Sequence, residues 1–191
     1  MRPGLDESKL LYVTNRKEWR GWLKGHYKSE KDIWLVYYKK HTGKPRISYN
    51  DAVEEALCFG WIDSIVRTID ENKFAQRFSA RKAKSGYSQA NLERVRALAR
   101  QGKIIKDILA TIPNLSDDEF EIPPDILEAI QGNGQAWENF KGFSPAYIRI
   151  RVAFIDAARK RPAEFKKRLR HFIRLTEKNK QFGFGGIDKY Y

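Results

Sequence analysis

Residues 48–82 read SYNDAVEEALCFGWIDSIVRTIDENKFAQRFSARK, and residues 84–96 continue as KSGYSQANLERVR. The apolar period changes twice along this stretch, from helical to alternating and back, with a cap or turn at each change. Ser48 can cap a helix that buries Ala52, Val53, Ala56 and Leu57, and Gly60 is placed to stop it. Ile65, Arg67 and Ile69 then alternate with Val66, Thr68 and Asp70. Asp70-Glu71-Asn72-Lys73 supplies a turn, and Phe74, Gln76 and Phe78 alternate again. Ser88 opens a second helix through Leu92, Val95, Leu98 and Ala99 as far as Gly102. The order is helix, β-hairpin, helix. It specifies a fold, but none of its residues is a chemical signature.

Upstream, Ile33-Trp34-Leu35-Val36-Tyr37-Tyr38 is apolar on both faces and predicts a central strand. Leu10 to Val13 is a short lead-in suited to an edge. Asn15 with Glu18 forms a capping box, followed by Trp19, Trp22, Leu23 and His26 at helical spacing. Two tryptophans on one face fit a helix laid on a sheet; the alternative is a ligand platform. The basic loop Lys39–Arg46 contains a Gly-Lys pair without the spacing of a phosphate-binding loop.

Downstream, a short helix is expected over about Ile104 to Ala110. From Asp107 to Glu128 there are seven acidic residues and no Lys or Arg, with Pro113, Pro123 and Pro124 among them. That composition predicts a linker. Helices follow from Pro124, over Gln135–Phe140, after Ser144 with Pro145 at the first position, and from Pro162. On the last of these, Phe165, Leu169, Phe172 and Ile173 form the apolar stripe. The fold class is α+β: a small, mainly antiparallel sheet flanked by helices, then a helical C-terminal domain. The expected divisions are 1–110 (α+β), 111–123 (acidic linker), 124–182 (helical) and 183–191 (tail).

Several of these blocks resemble the YdeI/OmpD-associated family of bacteria, also labelled bacteriocin-protection. They are Leu57-Cys58-Phe59-Gly60-Trp61-Ile62-Asp63, Gln76-Arg77-Phe78-Ser79, Ser88…Asn91…Arg94-Val95 and Tyr37-Tyr38-Lys39-Lys40. Ile122-Pro123-Pro124-Asp125, Trp137-Glu138-Asn139-Phe140 and Phe143-Ser144-Pro145 continue the likeness to nearly the whole chain. The sequence departs from the family's pattern at Ile148-Arg149-Ile150-Arg151, where adjacent arginines before an aromatic are expected, and at Pro162. The resemblance implies a non-enzymatic stress or protection protein and supplies no reaction.

At 191 residues with 41% apolar and 13% aromatic residues, the chain is globular, and burying about 70% of its unfolded surface is expected for its length. The N-terminus lacks the apolar core of a secretory signal, and no apolar run approaches the ~20 residues of a membrane span. A single cysteine fits a reducing compartment, and a cytoplasmic location is expected. None of His26, His41 and His171 has metal-ligand spacing, and no nucleophile elbow or dinucleotide turn is present. No metal or cofactor is expected. Cys58 could act as a nucleophile only if His41 folded beside it; otherwise it is a small buried hydrophobe.

Net charge is +13, and residues 141–180 hold 13 Lys and Arg against 3 Asp and Glu. Lys166, Lys167, Arg170 and Arg174 form a candidate polyanion face on the last helix; the alternative is a solvated helix face. A second cluster suits a small anion: Lys39, Lys40, Arg77, Arg81 and Lys84, with the Ser88 helix start, Asn91, and Trp61 as stacking surface. Asp63 either caps backbone N–H groups or faces a pocket, and Arg77 could instead pair with Asp63 or Asp70. Three functions remain open: binding of an unknown anionic ligand, sequence-independent nucleic-acid association, and an enzyme for a small anionic substrate.

Overall fold

The computed structural model describes residues 6–82, 85–112, 115, 120–183 and 187–190. The chain divides into two compact units, Met1–Ser85 with Leu98–Pro113, and Gly86–Ala97 with Asn114–Tyr191. Of the acidic segment 111–123, residues 113–114 and 116–119 lie outside the described residues, as do Lys84 and, in the tail, 184–186 and 191.

The first unit carries strands β1 (Leu10–Tyr12), β2 (Asp32–Tyr38), β3 (Trp61–Thr68) and β4 (Lys73–Ala80), and helices α1 (Arg16–His26) and α2 (Tyr49–Cys58). The sheet order is β1-β2-β4-β3. β1 runs parallel to β2, and the other two pairings are antiparallel. The mainly antiparallel sheet flanked by helices is therefore the observed fold, with the apolar β2 inside it.

Local chemistry explains the boundaries. Ser48 caps α2, its side chain accepting from the Asp51 N–H at 3.1 Å. Gly60 ends it in the left-handed region, φ +72°, where an added Cβ would stand 2.8 Å from Ile108 Cδ1. At α1, Asn15 accepts from the Glu18 N–H, while the Glu18 carboxylate takes the Thr14 N–H one residue before the cap. Trp19 is fully buried, donates its indole N–H to the Ala52 carbonyl at 3.0 Å and packs edge-on to Phe78. These contacts lay α1 and α2 on one face of the sheet.

Burial of the opposite side of α2 was not foreseen. Glu54 and Glu55 are only 2% and 4% exposed. Arg16 pairs with Asp51, Glu54 and Glu55 at 2.7–3.0 Å, and Arg20 with Glu55 at 2.7 Å. A carboxylate is buried at tolerable cost only with such partners.

The second unit is helical: α5 (Pro124–Gln131), α6 (Gly134–Lys141), α7 (Pro145–Asp156) and α8 (Pro162–Glu177), with α3 (Gln89–Arg100) as far as Ala97. A short α4 (Lys106–Leu109) belongs to the first unit. Asn133 and Ser144 cap α6 and α7. Proline stands at the first turn of α5, α7 and α8, where its missing N–H costs nothing. Ile126, Ile130, Phe140, Tyr147, Val152 and Phe172 form the centre of the core.

Candidate functional site

The site grows from one pairing in the sheet. Tyr37 on β2 and Phe74 on β4 are register partners, and their rings stack with centroids 5.2 Å apart and planes 6° from parallel. Gln76, two residues on, projects from the same face, because side chains alternate along a strand. Its Nε2 donates to Asp63 Oδ2 at 3.0 Å, and the Tyr49 hydroxyl donates to the same oxygen at 2.8 Å. Asp63 lies opposite Phe78, beside a shift of register between Asp63 and Val66. Such bulges re-aim side chains and occur next to functional sites.

The segment before α2 closes the other side. The Tyr12 hydroxyl donates to the Pro45 carbonyl, Ile47 N–H to Val13 O at 3.4 Å, and Arg46 to Tyr38 O at 3.0 Å. Together Tyr37, Arg46, Ile47, Ser48, Tyr49, Phe74 and Gln76 line a cavity of about 460 Å³.

Tyr37 is 3% exposed, yet among the described residues its hydroxyl has no hydrogen-bond partner. Burial, with the nearby Asp63 carboxylate and Tyr49 phenol, raises its pKa well above the ordinary phenol value, against a smaller opposing effect of Arg46. The group therefore remains a neutral O–H at physiological pH. A buried hydroxyl without a partner is uncommon, and leaving one costs about 1–3 kcal/mol.

The residues singled out from the sequence are distributed differently. Asp63 stands beside this pocket, bonded to the Tyr49 and Gln76 side chains and, among the described residues, to no backbone N–H group. Arg77 pairs with Asp32 on the neighbouring strand, and Lys9 joins the same carboxylate. Trp61 is 1% exposed and donates its indole N–H to Tyr27 O at 3.2 Å, so it offers no stacking surface. Lys39 precedes the short 3₁₀ turn Lys40–Thr42. Arg81 donates to Ser85 O at 2.6 Å. Ser88 and Asn91 belong to the second unit, where Ser88 caps α3 through the Asn91 N–H and Asn91 accepts from Arg94. Lys84 lies outside the described residues. On α8, Lys166, Lys167, Arg170 and Arg174 are exposed while Phe165, Leu169 and Ile173 pack on the core.

Tyr37, Arg46, Tyr49 and Gln76 escaped the sequence reading as site residues. A signal existed in Gln76, a polar residue between Phe74 and Phe78 on the apolar register of a strand, which requires a buried partner.

A larger cavity, about 540 Å³, lies in the second unit between Tyr87–Ala90, Phe120–Pro123 and the Ile150–Ala157 stretch of α7. Its buried cation, Arg151, lies against the rings of Phe182, Tyr147 and Phe154 at 5.2–5.9 Å. The smaller cavity is the stronger candidate because Tyr37, one of its lining residues, carries a buried hydroxyl with no hydrogen-bond partner among the described residues.

Hydrolytic constellations are not assembled among the described histidines: His26 bonds Trp22 O, His41 bonds Asn72 Oδ1, and His171 bonds Arg174. Burial pushes the Cys58 thiol up to about 11, which leaves little thiolate at neutral pH. Among the described residues no group of three or more His, Cys, Asp or Glu side chains is arranged to hold a metal ion. No described helix is long and apolar enough to cross a membrane.

Fold and site together define an α+β unit with a pocket on its helix-bearing sheet face, accompanied by a helical unit. Residues 11–111 match the family model described as a domain of unknown function (DUF8412), and the chain belongs to that family. Residues 119–179 match the model described as bacteriocin-protection, YdeI or OmpD-associated. The resemblance read from the motifs is thus found in the second half, while the Leu57–Asp63 block falls within the first match. No curated protein and no solved structure matches the chain.

Proposed function

We propose that the protein acts by binding and not by catalysis, and that the Tyr37 pocket is its ligand site; the bacteriocin-protection description matched by residues 119–179 names no reaction. The observation that carries this reading is Tyr37, which lines a cavity of about 460 Å³ and whose buried hydroxyl has no hydrogen-bond partner among the described residues. That volume is in the range of small-molecule sites, whose walls are mostly apolar with a few convergent polar groups. Tyr37, Phe74 and Ile47 supply the apolar wall, and Gln76, Tyr49 and Arg46 the polar groups.

A second reading rests on a different observation. Lys166, Lys167, Arg170 and Arg174 are exposed on one helix, and among the described residues none has a carboxylate within salt-bridge distance. This face suits sequence-independent contact with a polyanion such as nucleic acid.

One experiment tests both. A library of small neutral fragments titrated into the ¹⁵N-labelled full chain should give saturable shift changes clustered on Tyr37, Ile47, Tyr49, Phe74 and Gln76. Changes elsewhere, or none that saturate, would overturn the pocket reading. Shift changes on the α8 face with a short oligonucleotide, fading as salt rises, would favour the second.

A further inference from the structure

We infer that the Tyr37 pocket selects a small ligand of zero net charge that presents a carbonyl oxygen to the Tyr37 hydroxyl. This rests on the binding reading and goes on to specify the chemistry of the ligand. The buried hydroxyl retains its proton and has no partner among the described residues, so an acceptor that reaches it gains a hydrogen bond without breaking one there.

The charges around the cavity decide what kind of acceptor. Arg46 lines it, exposed to solvent and already donating to Tyr38 O. Asp63 stands behind Gln76 and Tyr49, less exposed than Arg46, and raises the Tyr37 pKa through its charge. One positive and one negative group cancel. An anionic ligand would lose its water beside a carboxylate, and a cationic ligand beside a guanidinium. Neither would recover its desolvation cost. The positive end of α2 would favour an anion, but Asp51 in its first turn, itself paired with Arg16, offsets that end in part. A neutral carbonyl meets the hydroxyl with no such penalty. The stacked Tyr37 and Phe74 rings and the buried Ile47 suit an apolar body behind it.

Three probes of one shape separate the possibilities: benzamide (neutral), benzoate (anionic) and benzylamine (cationic at pH 7). Dissociation constants measured on the full chain by NMR titration should rank benzamide at least tenfold tighter than the other two. Tyr37→Phe should weaken benzamide about tenfold, the effect of one hydrogen bond to a buried group, and leave the charged probes where they were. Benzoate or benzylamine binding as tightly as benzamide, with dependence on Tyr37, would overturn the neutral-ligand inference and leave the pocket as a binding site. Benzamide binding that ignores Tyr37→Phe would overturn the role of the hydroxyl. No saturable binding of any probe would overturn the inference and the binding reading together. Should Tyr37→Phe fail to fold, Arg46→Gln at its exposed position replaces it. That variant should shift preference from benzoate toward benzylamine with benzamide still tightest, and an unchanged order of the charged probes would overturn the charge-balance argument.

Discussion

Glu93→Ala should destabilise the protein by about 3–5 kcal/mol, a large share of the roughly 5–15 kcal/mol that holds a typical domain together. Glu93 is 3% exposed. It accepts two hydrogen bonds from Arg149, at 2.6 and 2.9 Å, one from Arg96 at 2.9 Å and one from Gln89 at 2.8 Å. Truncation leaves Arg149 and Arg96, 8% and 6% exposed, without that carboxylate. Urea unfolding of the full chain at pH 7 measures the loss, and a change below about 1 kcal/mol would mean the arginines find other partners. The same pair makes stability sensitive to acid. Burial alone pushes the Glu93 carboxyl up, but hydrogen bonds from Arg149 and Gln89 and the charges of Arg149 and Arg96 outweigh it. The folded-state pKa therefore lies below the ordinary value. A depressed carboxyl contributes its full stability above the unfolded value, about 4.3, and loses it as pH falls through the folded value. Wild-type stability should drop below about pH 4, and Glu93→Gln should flatten that part of the curve.

Phe172→Ala should cost a similar 3–5 kcal/mol, by a different route. Phe172 on α8 is fully buried, and its ring contacts Phe140, Tyr147 and Phe182 with centroids 6.1–6.3 Å away. Losing the ring removes its transfer free energy and leaves a cavity that three rigid aromatic neighbours collapse into poorly. Arg170→Ala, on the exposed face of the same helix, should stay within about 0.5 kcal/mol of wild type. Equal losses from the two variants would mean that the packing of the Phe172 ring contributes no more to stability than an exposed side chain of the same helix.

Legibility of the fold followed the range of the interactions. Ser48, Gly60, Asn15 and Ser144 act within one helical turn, so their roles could be read from spacing alone. The apolar run Ile33–Tyr38 announced an interior strand for the same reason. The burial of Glu54 and Glu55 was not legible, because their arginine partners lie 35–39 positions away. Arg77 could be read either as facing an anion or as pairing with Asp63 or Asp70; the carboxylate it bonds, Asp32, lies 45 positions away and was out of reach of such a reading. Arg149 and Arg151 marked a departure in pattern without revealing a cause. Each is buried on α7, one against Glu93 and the other among aromatic rings. At the pocket, Asp63 drew attention as a carboxylate that either caps backbone N–H groups or faces a pocket. Tyr37 did not, since an aromatic residue in a buried strand ordinarily signals only packing. Its distinguishing feature, a buried hydroxyl with no hydrogen-bond partner among the described residues, exists only once β2, β4 and the Arg46–Ser48 segment are in place.

The most direct measurement is the unfolding free energy of Tyr37→Phe without added ligand. Removing a buried hydroxyl that has no hydrogen-bond partner among the described residues relieves an unmet desolvation cost and keeps the ring stacked on Phe74. Urea titration should show stability equal to wild type or greater by up to about 2 kcal/mol. A loss of about 1 kcal/mol or more, the usual worth of an intact hydrogen bond, would mean that the hydroxyl is satisfied within the protein and that the pocket has no open donor for a ligand.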